Sequence, residues 1–441
     1  MKFGFDKFVK VDDYPSELPL PNGYSSTYIE NNISKFSYDS LSHFNVYRFL
    51  FKKEMDYKEW GFGYDTVDNL LQNNEVFVYP ILIRDKEDFA GLIDNGRILI
   101  NDTVVNAVKS GKAKIVLSYL FEGDFYSEED FSFVNRFVKK YNFVKKDVLL
   151  LTNNLRINEL PYDADFSIAT YNYFLSNPWF ISEDLLDKDN DIQLKNDLDR
   201  KLQYVKSFTK IKAFLCLNRR PRPHRIVLFA EISKNPKLLD NTMISLGSKD
   251  LDINTGNNKT SWMSAYNRLI TNDFKYNKMS GMEFLRDYDN SNTKFIDANP
   301  TFNLAFNINE TIQLNTFLNV ITETLYESET IFLSEKIWKP IFSCQPFIVL
   351  GNPHTLRELK NLGFKTFSDF WDESYDSEEN FEKRVEKILD VLNELNTKTQ
   401  SELLHLTREM SDILAHNYTN FLVKSREEIF TLKRILNEQF S

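Results

Sequence analysis

The chain has 441 residues, of which 42% are hydrophobic and 27% charged, and a net charge of -10. This length is too great for one ordinary hydrophobic core, so we expect two domains. The acidic balance disfavours a protein that coats nucleic acid, because contacts to phosphate need clustered Lys and Arg side chains. The two cysteines, Cys216 and Cys344, both lie in apolar runs. This placement indicates buried thiols in a reducing compartment and not a disulfide framework.

Membrane insertion and secretion are not indicated by the sequence. No stretch approaches the roughly 20 consecutive apolar residues that a membrane-spanning helix needs. The N-terminus, Met-Lys-Phe-Gly-Phe-Asp, lacks the continuous apolar segment of a signal peptide. We therefore expect a cytoplasmic protein.

The N-terminal half of the chain shows a first set of alternating strands and helices. Roughly the first 70 residues are aromatic and irregular. The strands predicted after them are Val76–Ile83, Ala113–Phe121 and Asp147–Thr152. The segments predicted to be helical or mixed are Phe89–Asn95, Asn101–Ser110 and Glu128–Tyr141. Short apolar runs separated by helical segments are typical of a parallel sheet with both faces covered. Residues 155–205 are polar and hard to interpret, and we place the domain junction there.

A second set of alternating elements follows the junction. Its predicted strands are Lys212–Leu217, Thr242–Leu246, Phe317–Thr324, Pro346–Gly351 and the short Lys365–Phe367. Its predicted helices are Arg222–Lys234, Ser334–Cys344, Thr355–Leu362, Glu378–Leu395 and two more within 399–439. The expected fold is α/β, with two Rossmann-like domains, 1–205 and 206–441, that face each other across a cleft. Ligands of such sheets bind beyond the carboxyl ends of the strands, so the residues after each strand are the functional candidates.

A basic segment directly follows the strand Lys212–Leu217. Residues 218–225 read Asn-Arg-Arg-Pro-Arg-Pro-His-Arg, and no acidic residue occurs between 210 and 225. Guanidinium groups beside the N-terminus of a helix suit a diphosphate, because free N–H groups and a partial positive charge lie there. The residues predicted to contact such a ligand are Asn218, Arg219, Arg220 and His224. The alternative is a solvated basic turn.

A second candidate segment covers residues 331–340, Ile-Phe-Leu-Ser-Glu-Lys-Ile-Trp-Lys-Pro. Ser334 is a favourable N-cap, which places Glu335 and Lys336 in the first turn of a helix. A carboxylate there accepts hydrogen bonds from both hydroxyls of a ribose, and the adjacent ammonium reaches a phosphate. Lys339 completes the residues predicted for this site. The alternative is an ordinary capped helix with charges that face solvent.

This second segment and the one after it resemble the donor-binding signature of the α1,3-fucosyltransferase family. That signature has a Tyr-x-Thr-Glu-Lys-like motif, a helix, and a strand of Pro and apolar residues that ends in Gly, as in residues 345–351 (Gln-Pro-Phe-Ile-Val-Leu-Gly). The chain also resembles glycosyltransferases encoded by large bacteriophages and giant viruses. These share the Arg-rich loop and downstream stretches similar to Gly363–Phe367 and Asp372–Asp376. The resemblance covers residues 210–385.

The resemblance implies a glycosyltransferase of the GT-B arrangement that uses a nucleoside-diphosphate sugar. Glu335 would hold the donor ribose, and Lys336 with one arginine of the pair Arg219 and Arg220 would hold the diphosphate. These cations neutralise the leaving group, so neither a metal nor another cofactor is expected. The family's motif tyrosine is replaced here by Phe332, which leaves the nucleotide and the sugar open. The viral resemblance extends the expected location to the cytoplasm of an infected host cell.

The general base of an inverting transfer is predicted after the strand Ala113–Phe121. Such a transfer needs a group that takes the proton from the acceptor hydroxyl. Glu122 and Asp124 are the candidate bases, and Gly123 between them allows close approach of a substrate. The alternative is a turn that caps the helix beginning near Ser127.

Two other functions remain open at this point. One is a metal-dependent GT-A glycosyltransferase that uses one of the Asp-x-Asp pairs in the sequence, although we assign no metal site because single pairs are weak evidence in an Asp-rich chain. The other is a non-catalytic nucleotide-binding or virion-associated protein. The acceptor is also open, and a glycan, a protein, a small molecule and a modified DNA base are all compatible with the sequence.

Overall fold

The computed structural model describes residues 1–6, 8–10, 17–19, 63–83, 86–94, 100–120, 123–176, 191–207, 212–218, 222–246, 308–326 and 328–440. The chain divides into two compact units. The first unit comprises residues 1–177 and 427–441, and the second comprises residues 178–426. Both units are α/β, and each is built on a parallel sheet.

The first unit contains a six-stranded parallel sheet and a separate antiparallel pair. The strands in chain order are β1 (Lys2–Phe5), β2 (Phe8–Lys10), β3 (Glu17–Pro19), β4 (Gly63–Thr66), β5 (Phe77–Leu82), β6 (Ala113–Tyr119), β7 (Val148–Thr152) and β8 (Ser167–Thr170). The parallel sheet has the order β4-β1-β5-β6-β7-β8, and β2 pairs with β3. Every residue of β6 and β7 is buried. This burial on both faces explains why these strands are continuous apolar runs in the sequence.

Five helices accompany these strands in the described part of the first unit. They are α1 (Val67–Gln72), α2 (Lys86–Asp94), α3 (Asp102–Lys109), α4 (Glu128–Lys140) and α5 (Tyr173–Ser176). Helix α4 begins with a capping box, in which the Ser127 hydroxyl accepts from the Asp130 N–H and the Asp130 carboxylate accepts from the Ser127 N–H. This reciprocal pairing satisfies donors that the first helical turn leaves open.

The second unit contains a four-stranded parallel sheet. Its strands are β9 (Lys212–Asn218), β10 (Thr242–Leu246), β11 (Thr316–Thr322) and β12 (Phe347–Leu350), in the order β10-β9-β11-β12. The helices that begin in this unit are α6 (Asp191–Ser207), α7 (Pro223–Ser233), α8 (Pro236–Asp240), α9 (Glu310–Leu314), α10 (Glu335–Phe342), α11 (Thr355–Asn361), α12 (Phe381–Asn396), α13 (Gln400–Glu409) and α14 (Ser411–Phe440). All seven residues of β11 are buried.

The strand order of the second sheet defines a topological switch point. After β9 the chain forms β10 on one side of that strand and then returns to form β11 on the other side. Connections that leave two adjacent parallel strands in opposite directions open a crevice at their carboxyl ends, which is the usual ligand site of such sheets. In the second unit this crevice lies at the ends of β9 and β11.

The predicted strand Lys365–Phe367 is wrong, because side chains take the backbone groups that a sheet would need. The Lys365 N–H donates to Oδ1 of Asn417 over 2.8 Å, and the Lys365 carbonyl accepts from Nδ2 of the same side chain. The Phe367 N–H donates to the Glu373 carboxylate over 2.7 Å. With its backbone groups satisfied in this way, the segment belongs to no sheet.

Several elements form where the sequence showed no clear pattern. Strands β1 and β4 lie within the N-terminal region that appeared irregular, and β8 and α6 lie within the polar segment 155–205. All four residues of β8, Ser-Ile-Ala-Thr, are only half-buried, and the strand lacks the continuous apolar run of a buried strand. Hydrogen bonding to a neighbouring strand stabilises such a segment, and local composition does not reveal it.

The boundary between the two compact units differs from the predicted domain boundary at residue 205. It lies at residues 177 and 178, and the end of the chain belongs to the first unit. Residue 205 lies inside α6, which is anchored to the second unit through the fully buried Lys201. The Lys201 ammonium is 2.9 Å from Asp197 and 3.2 Å from Glu310, and it donates to the Phe342 carbonyl over 3.0 Å.

Among the described residues, no helix is long and apolar enough to cross a membrane.

Gly363 ends α11 in a left-handed conformation, with φ of 85°. Its N–H donates to the Lys360 carbonyl, and the Phe364 N–H donates to the Leu359 carbonyl, which together form a Schellman motif. A Cβ at this position would lie 3.6 Å from the nearest atom of Asn420, so space is available. The preference for glycine therefore arises from the backbone.

We expect Gly363→Ala to lower the free energy of unfolding by about 1–2 kcal/mol, because an L-residue is strained in this conformation. Denaturant titration measures the change. Gly91→Ala is the matched control, since Gly91 lies inside α2 and a Cβ added there would have no atom within 4 Å. That change should raise the free energy of unfolding by about 0.5–1 kcal/mol. Equal effects of the two substitutions would contradict the conformational argument.

Candidate functional site

The backbone directly after β11 holds the beginning of α7. Nε2 of His224 donates to the Glu323 carbonyl over 2.8 Å, and Nη1 of Arg222 donates to the Thr324 carbonyl over 2.9 Å. Nη2 of Arg225 lies 3.3 Å from the Thr322 carbonyl oxygen. These carbonyls lie at the end of a buried strand and need donors. Donation from α7 therefore brings two guanidinium groups to the crevice between β9 and β11.

The side chains of the same segment hold the beginning of α10. Oγ of Ser334 donates to Oε2 of Glu323 over 2.6 Å and caps α10 by accepting from the Lys336 N–H. The Lys336 ammonium donates to Oγ of Ser334 over 3.1 Å and to Oγ1 of Thr324 over 3.3 Å. The residues that meet here are called the switch-point cluster below, and they are Arg222, His224, Arg225, Glu323, Thr324, Ser334, Glu335 and Lys336.

Glu335 has the most exposed carboxylate of the cluster, with a side chain 18% exposed and Oε1 3.3 Å from the Lys336 ammonium. Burial opposes the charged form of Glu335, but the ammonium groups of Lys336 and Lys339 outweigh it and hold the pKa of this carboxyl below its ordinary value. Lys339 lies one helical turn after Glu335 in α10. The Glu335 carboxylate is therefore anionic at neutral pH and is available as a hydrogen-bond acceptor.

Two other charged groups of the cluster, Arg225 and Glu323, are deeply buried. Burial and the neighbouring Arg222 lower the pKa of Arg225 to about 9, so its guanidinium remains charged at neutral pH. Burial raises the pKa of Glu323, although Lys336 and the Ser334 hydroxyl favour its charged form. Cations outnumber carboxylates among the described residues of the cluster. A phosphate or diphosphate is the complementary ligand, because charge-assisted hydrogen bonds to guanidinium and ammonium groups are strong.

His224 is fully buried and neutral at the centre of the cluster. Its ring stacks on Tyr326, with 4.1 Å between centroids and 27° between planes. Burial, together with the charges of Arg225, Arg222 and Lys336, keeps the pKa of His224 well below its ordinary value of 6.5. The Glu323 carbonyl accepts from Nε2, so Nε2 carries the proton. Nδ1 is buried and has no hydrogen-bond donor among the described residues.

Asn218 lies at the end of β9, but its amide is used inside the sheet. Its side chain accepts from Oγ1 of Thr322, and its Nδ2 donates to Sγ of Cys216 over 3.3 Å. The residue is 1% exposed. Asn218 thus joins β9 to β11, and the amide that the sequence assigned to a ligand is already paired. The other two residues predicted with it, Arg219 and Arg220, lie outside the described residues.

Of the two predicted general bases, Asp124 is described and Glu122 lies outside the described residues. Asp124 accepts from the Tyr119 hydroxyl, and its second oxygen is 3.7 Å from the Lys86 ammonium. Lys86 also donates to the Asp124 carbonyl over 2.8 Å and pairs with Asp130 at 2.9 Å. These contacts fix the turn before α4. The Asp124 carboxylate is thus already engaged by a hydroxyl group and an ammonium group.

Sequence reasoning overlooked Glu323, Thr324, Arg222 and Arg225. The signal for Glu323 was an acidic residue at the end of an apolar run, but the predicted strand Phe317–Thr324 included it. The two arginines were recognised only as part of a basic segment. Which of its arginines reach the crevice depends on where α7 begins, and the helix begins at Pro223.

Among the described residues, no group of three or more His, Cys, Asp or Glu side chains is arranged to hold a metal ion. One of the Asp-x-Asp pairs contains Asp197, whose carboxylate is engaged by Arg200, Lys201 and the Tyr418 hydroxyl.

Comparison of the chain with protein-family models, with curated proteins and with solved structures finds no match.

The buried neutral His224 predicts a pH-dependent stability. Because its folded pKa lies below 6.5, the unfolded chain alone takes up a proton as the pH falls through that value. The contribution of His224 to the free energy of unfolding is therefore fully present above pH 6.5. It decreases below that pH, by up to about 1.4 kcal/mol per pH unit. His224→Gln removes this contribution and keeps an N–H for the Glu323 carbonyl.

We expect the difference in unfolding free energy between the parent and His224→Gln to shrink by about 1.4 kcal/mol between pH 7.5 and 5.5. Denaturant titrations at several pH values measure it. His405→Gln, at an exposed position of α13, is the control for the loss of one histidine. A difference that stays constant over this range would show that the buried ring is not responsible.

Proposed function

We propose that the chain is a glycosyltransferase and that the switch-point cluster binds its nucleoside-diphosphate sugar donor. The observation that carries the proposal is the meeting of Glu335 and Lys336 with Arg222 and Arg225 at the carboxyl ends of β9 and β11. A diphosphate needs cations, and a ribose needs an acceptor for its hydroxyls. The cluster offers both within one crevice of a parallel sheet, where nucleotides commonly bind.

The proposed reaction transfers the sugar to an acceptor hydroxyl. The acceptor oxygen forms a bond to the anomeric carbon while the bond from that carbon to the diphosphate oxygen breaks. The electron pair of the broken bond stays on the diphosphate, whose increased negative charge Lys336 and the guanidinium groups stabilise. The acceptor proton goes to a base of the first unit, for which Glu122 and Asp124 are the candidates. Inversion at the anomeric carbon is part of the proposal.

The proposal extends to the arrangement of the two units. We propose that they face each other across a cleft as in GT-B transferases, with the acceptor on the first unit and the donor on the second. Support comes from the parallel sheets of both units, since each has a strand order with a switch point. The proposal needs no metal ion, because the cations of the cluster neutralise the leaving group.

Lys336→Met tests the diphosphate contact. We expect affinity for UDP or GDP to fall about ten- to hundredfold, since a charge-assisted hydrogen bond contributes about 1.5–3 kcal/mol. Isothermal titration calorimetry at low salt measures this change. Lys383→Met removes the same charge from an exposed position of α12 and should leave affinity nearly unchanged. Equal losses in both variants would mean that only the overall charge of the protein matters.

Glu335→Gln and Glu335→Ala test the ribose contact. The alanine variant should bind ribonucleoside diphosphates at least about tenfold more weakly, and the glutamine variant should lie between it and the parent. Both losses should be smaller with 2′-deoxyribonucleoside diphosphates, because one hydrogen-bond partner is already missing from the ligand. Calorimetry with matched ribose and deoxyribose ligands gives the comparison. If both ligands lose the same affinity, Glu335 does not contact the ribose.

A broad ligand screen tests the proposal without any substitution. A ligand at 100 times its dissociation constant stabilises the folded state by about 2.7 kcal/mol, which a thermal-shift assay detects easily. Nucleoside diphosphates and their sugar derivatives should stabilise the protein, while the free nucleosides should not. A protein that none of these compounds stabilises would not be a nucleotide-sugar transferase.

A further inference from the structure

His224 is held so firmly that its tautomer is fixed. Its Nε2–H donates to the Glu323 carbonyl, and Tyr326 covers one face of the ring. Tyr326 in turn packs edge-on against Phe381, with 5.1 Å between centroids, and its carbonyl accepts from Nη2 of Arg384. A carbonyl oxygen can only accept, so the proton is on Nε2 and the lone pair is on Nδ1.

The lone pair on Nδ1 is a buried acceptor without a donor among the described residues. A buried polar atom of this kind is costly and uncommon in folded proteins, which makes its position informative. The charged groups that act on the ring are Arg225 and Arg222, at the beginning of α7, and Lys336 from α10, while Glu323 contacts the ring through its backbone carbonyl. The three cations and the burial oppose protonation of the ring. Nδ1 therefore remains an acceptor and needs a donor from elsewhere.

We propose that Nδ1 of His224 accepts a hydrogen bond from a hydroxyl group of the ligand in the switch-point cluster. This inference rests on the proposed function and assigns to His224 a specificity role distinct from phosphate binding. A fully ionised phosphate has only acceptors to offer, whereas ribose and the transferred sugar both carry hydroxyl groups next to the diphosphate. The site then distinguishes a nucleotide or a nucleotide sugar from a simple anion.

Two substitutions at this position separate the two ring nitrogens. His224→Gln keeps an N–H close to the position of Nε2, so the bond to Glu323 is retained while the Nδ1 acceptor is lost. His224→Asn places its amide near the position of Nδ1 and loses the bond to Glu323. Thermal unfolding identifies any variant that fails to fold, and the second variant keeps the test informative if the first is unstable.

Calorimetry at pH 8 with UDP, 2′,3′-dideoxy-UDP, UDP-glucose and sulfate identifies the hydroxyl. If the hydroxyl belongs to ribose, His224→Gln should bind UDP and UDP-glucose about tenfold more weakly than the parent, with dideoxy-UDP unchanged. If it belongs to the transferred sugar, only UDP-glucose should lose affinity. Sulfate affinity should be the same in both proteins. GDP, its dideoxy form and GDP-mannose form a parallel series for a guanine-specific site.

Nitrogen NMR of the protein with ¹⁵N-labelled histidine gives a second readout. The Nδ1 resonance of His224, assigned by its loss in His224→Gln, should shift when the hydroxyl-bearing ligand binds and stay in place with sulfate. Unchanged nucleotide affinity in His224→Gln, with an unmoved resonance, would overturn the inference and leave the proposed donor site intact. Binding of sulfate without any nucleotide would instead overturn the proposed function, and the hydroxyl contact with it.

Discussion

The end of β11 is the constraint on which the rest of the candidate site depends. Three consecutive residues, Thr322–Thr324, direct their carbonyls to side chains of α7, and the side chains of Glu323 and Thr324 reach α10. Backbone carbonyls at a buried strand end need donors, and here two arginines and the neutral His224 supply them. The hydrogen bonds that satisfy these carbonyls therefore also place the guanidinium groups of Arg222 and Arg225 at the end of β11. The two helices are fixed to each other through this short segment.

Burial of charge at this point is compensated in several ways. Arg225 is 4% exposed, and it stays charged because carbonyl oxygens and the carboxylates of Glu323 and Glu335 lie close to it. His224 takes the opposite course and stays neutral. Converting it to a cation between two guanidinium groups would add repulsion to the cost of burial. The cluster thus combines fixed positive charges with a neutral acceptor, an arrangement that suits a ligand with both phosphates and hydroxyls.

The sequence revealed the strands that are apolar along most of their length more readily than the other strands. Strands β6, β7, β11 and β12 are fully buried, so their continuous apolar runs were recognisable. Strands β1, β4 and β8 depend on pairing with a neighbour, which no local pattern shows. The segment Lys365–Phe367 was predicted to be a strand but is not one. The side chains of Asn417 and Glu373 accept hydrogen bonds from its backbone N–H groups. Side-chain pairing of this kind is invisible to periodicity.

The candidate site was predictable where it depends on a helix end and not where it depends on register. Ser334, Glu335 and Lys336 were found because an N-cap followed by charges is a local pattern. Asn218 was predicted to contact a ligand, yet its side chain pairs with Thr322 and Cys216 inside the sheet. A shift of one residue along a strand reverses the side on which a side chain lies, and the sequence does not reveal the register at the end of β9. The roles of Arg222 and Arg225 depend on the residue at which α7 begins and on how deeply the side chains of its first turn are buried. Neither can be derived from composition.

The two units differ in what their switch points offer to an anion. In the first unit the chain forms β4 on one side of β1 and β5 on the other. Asp6, directly after β1, accepts from the Tyr79 hydroxyl over 2.8 Å and from Nδ2 of Asn101 over 3.2 Å. A carboxylate at this point repels phosphate, whereas the second unit places guanidinium and ammonium groups at the equivalent point. In a chain with a net charge of -10, this local excess of cations favours the binding of an anionic ligand in the second unit. Under the proposed function, this contrast assigns the anionic donor to the second unit and the neutral, hydroxyl-bearing acceptor to the first.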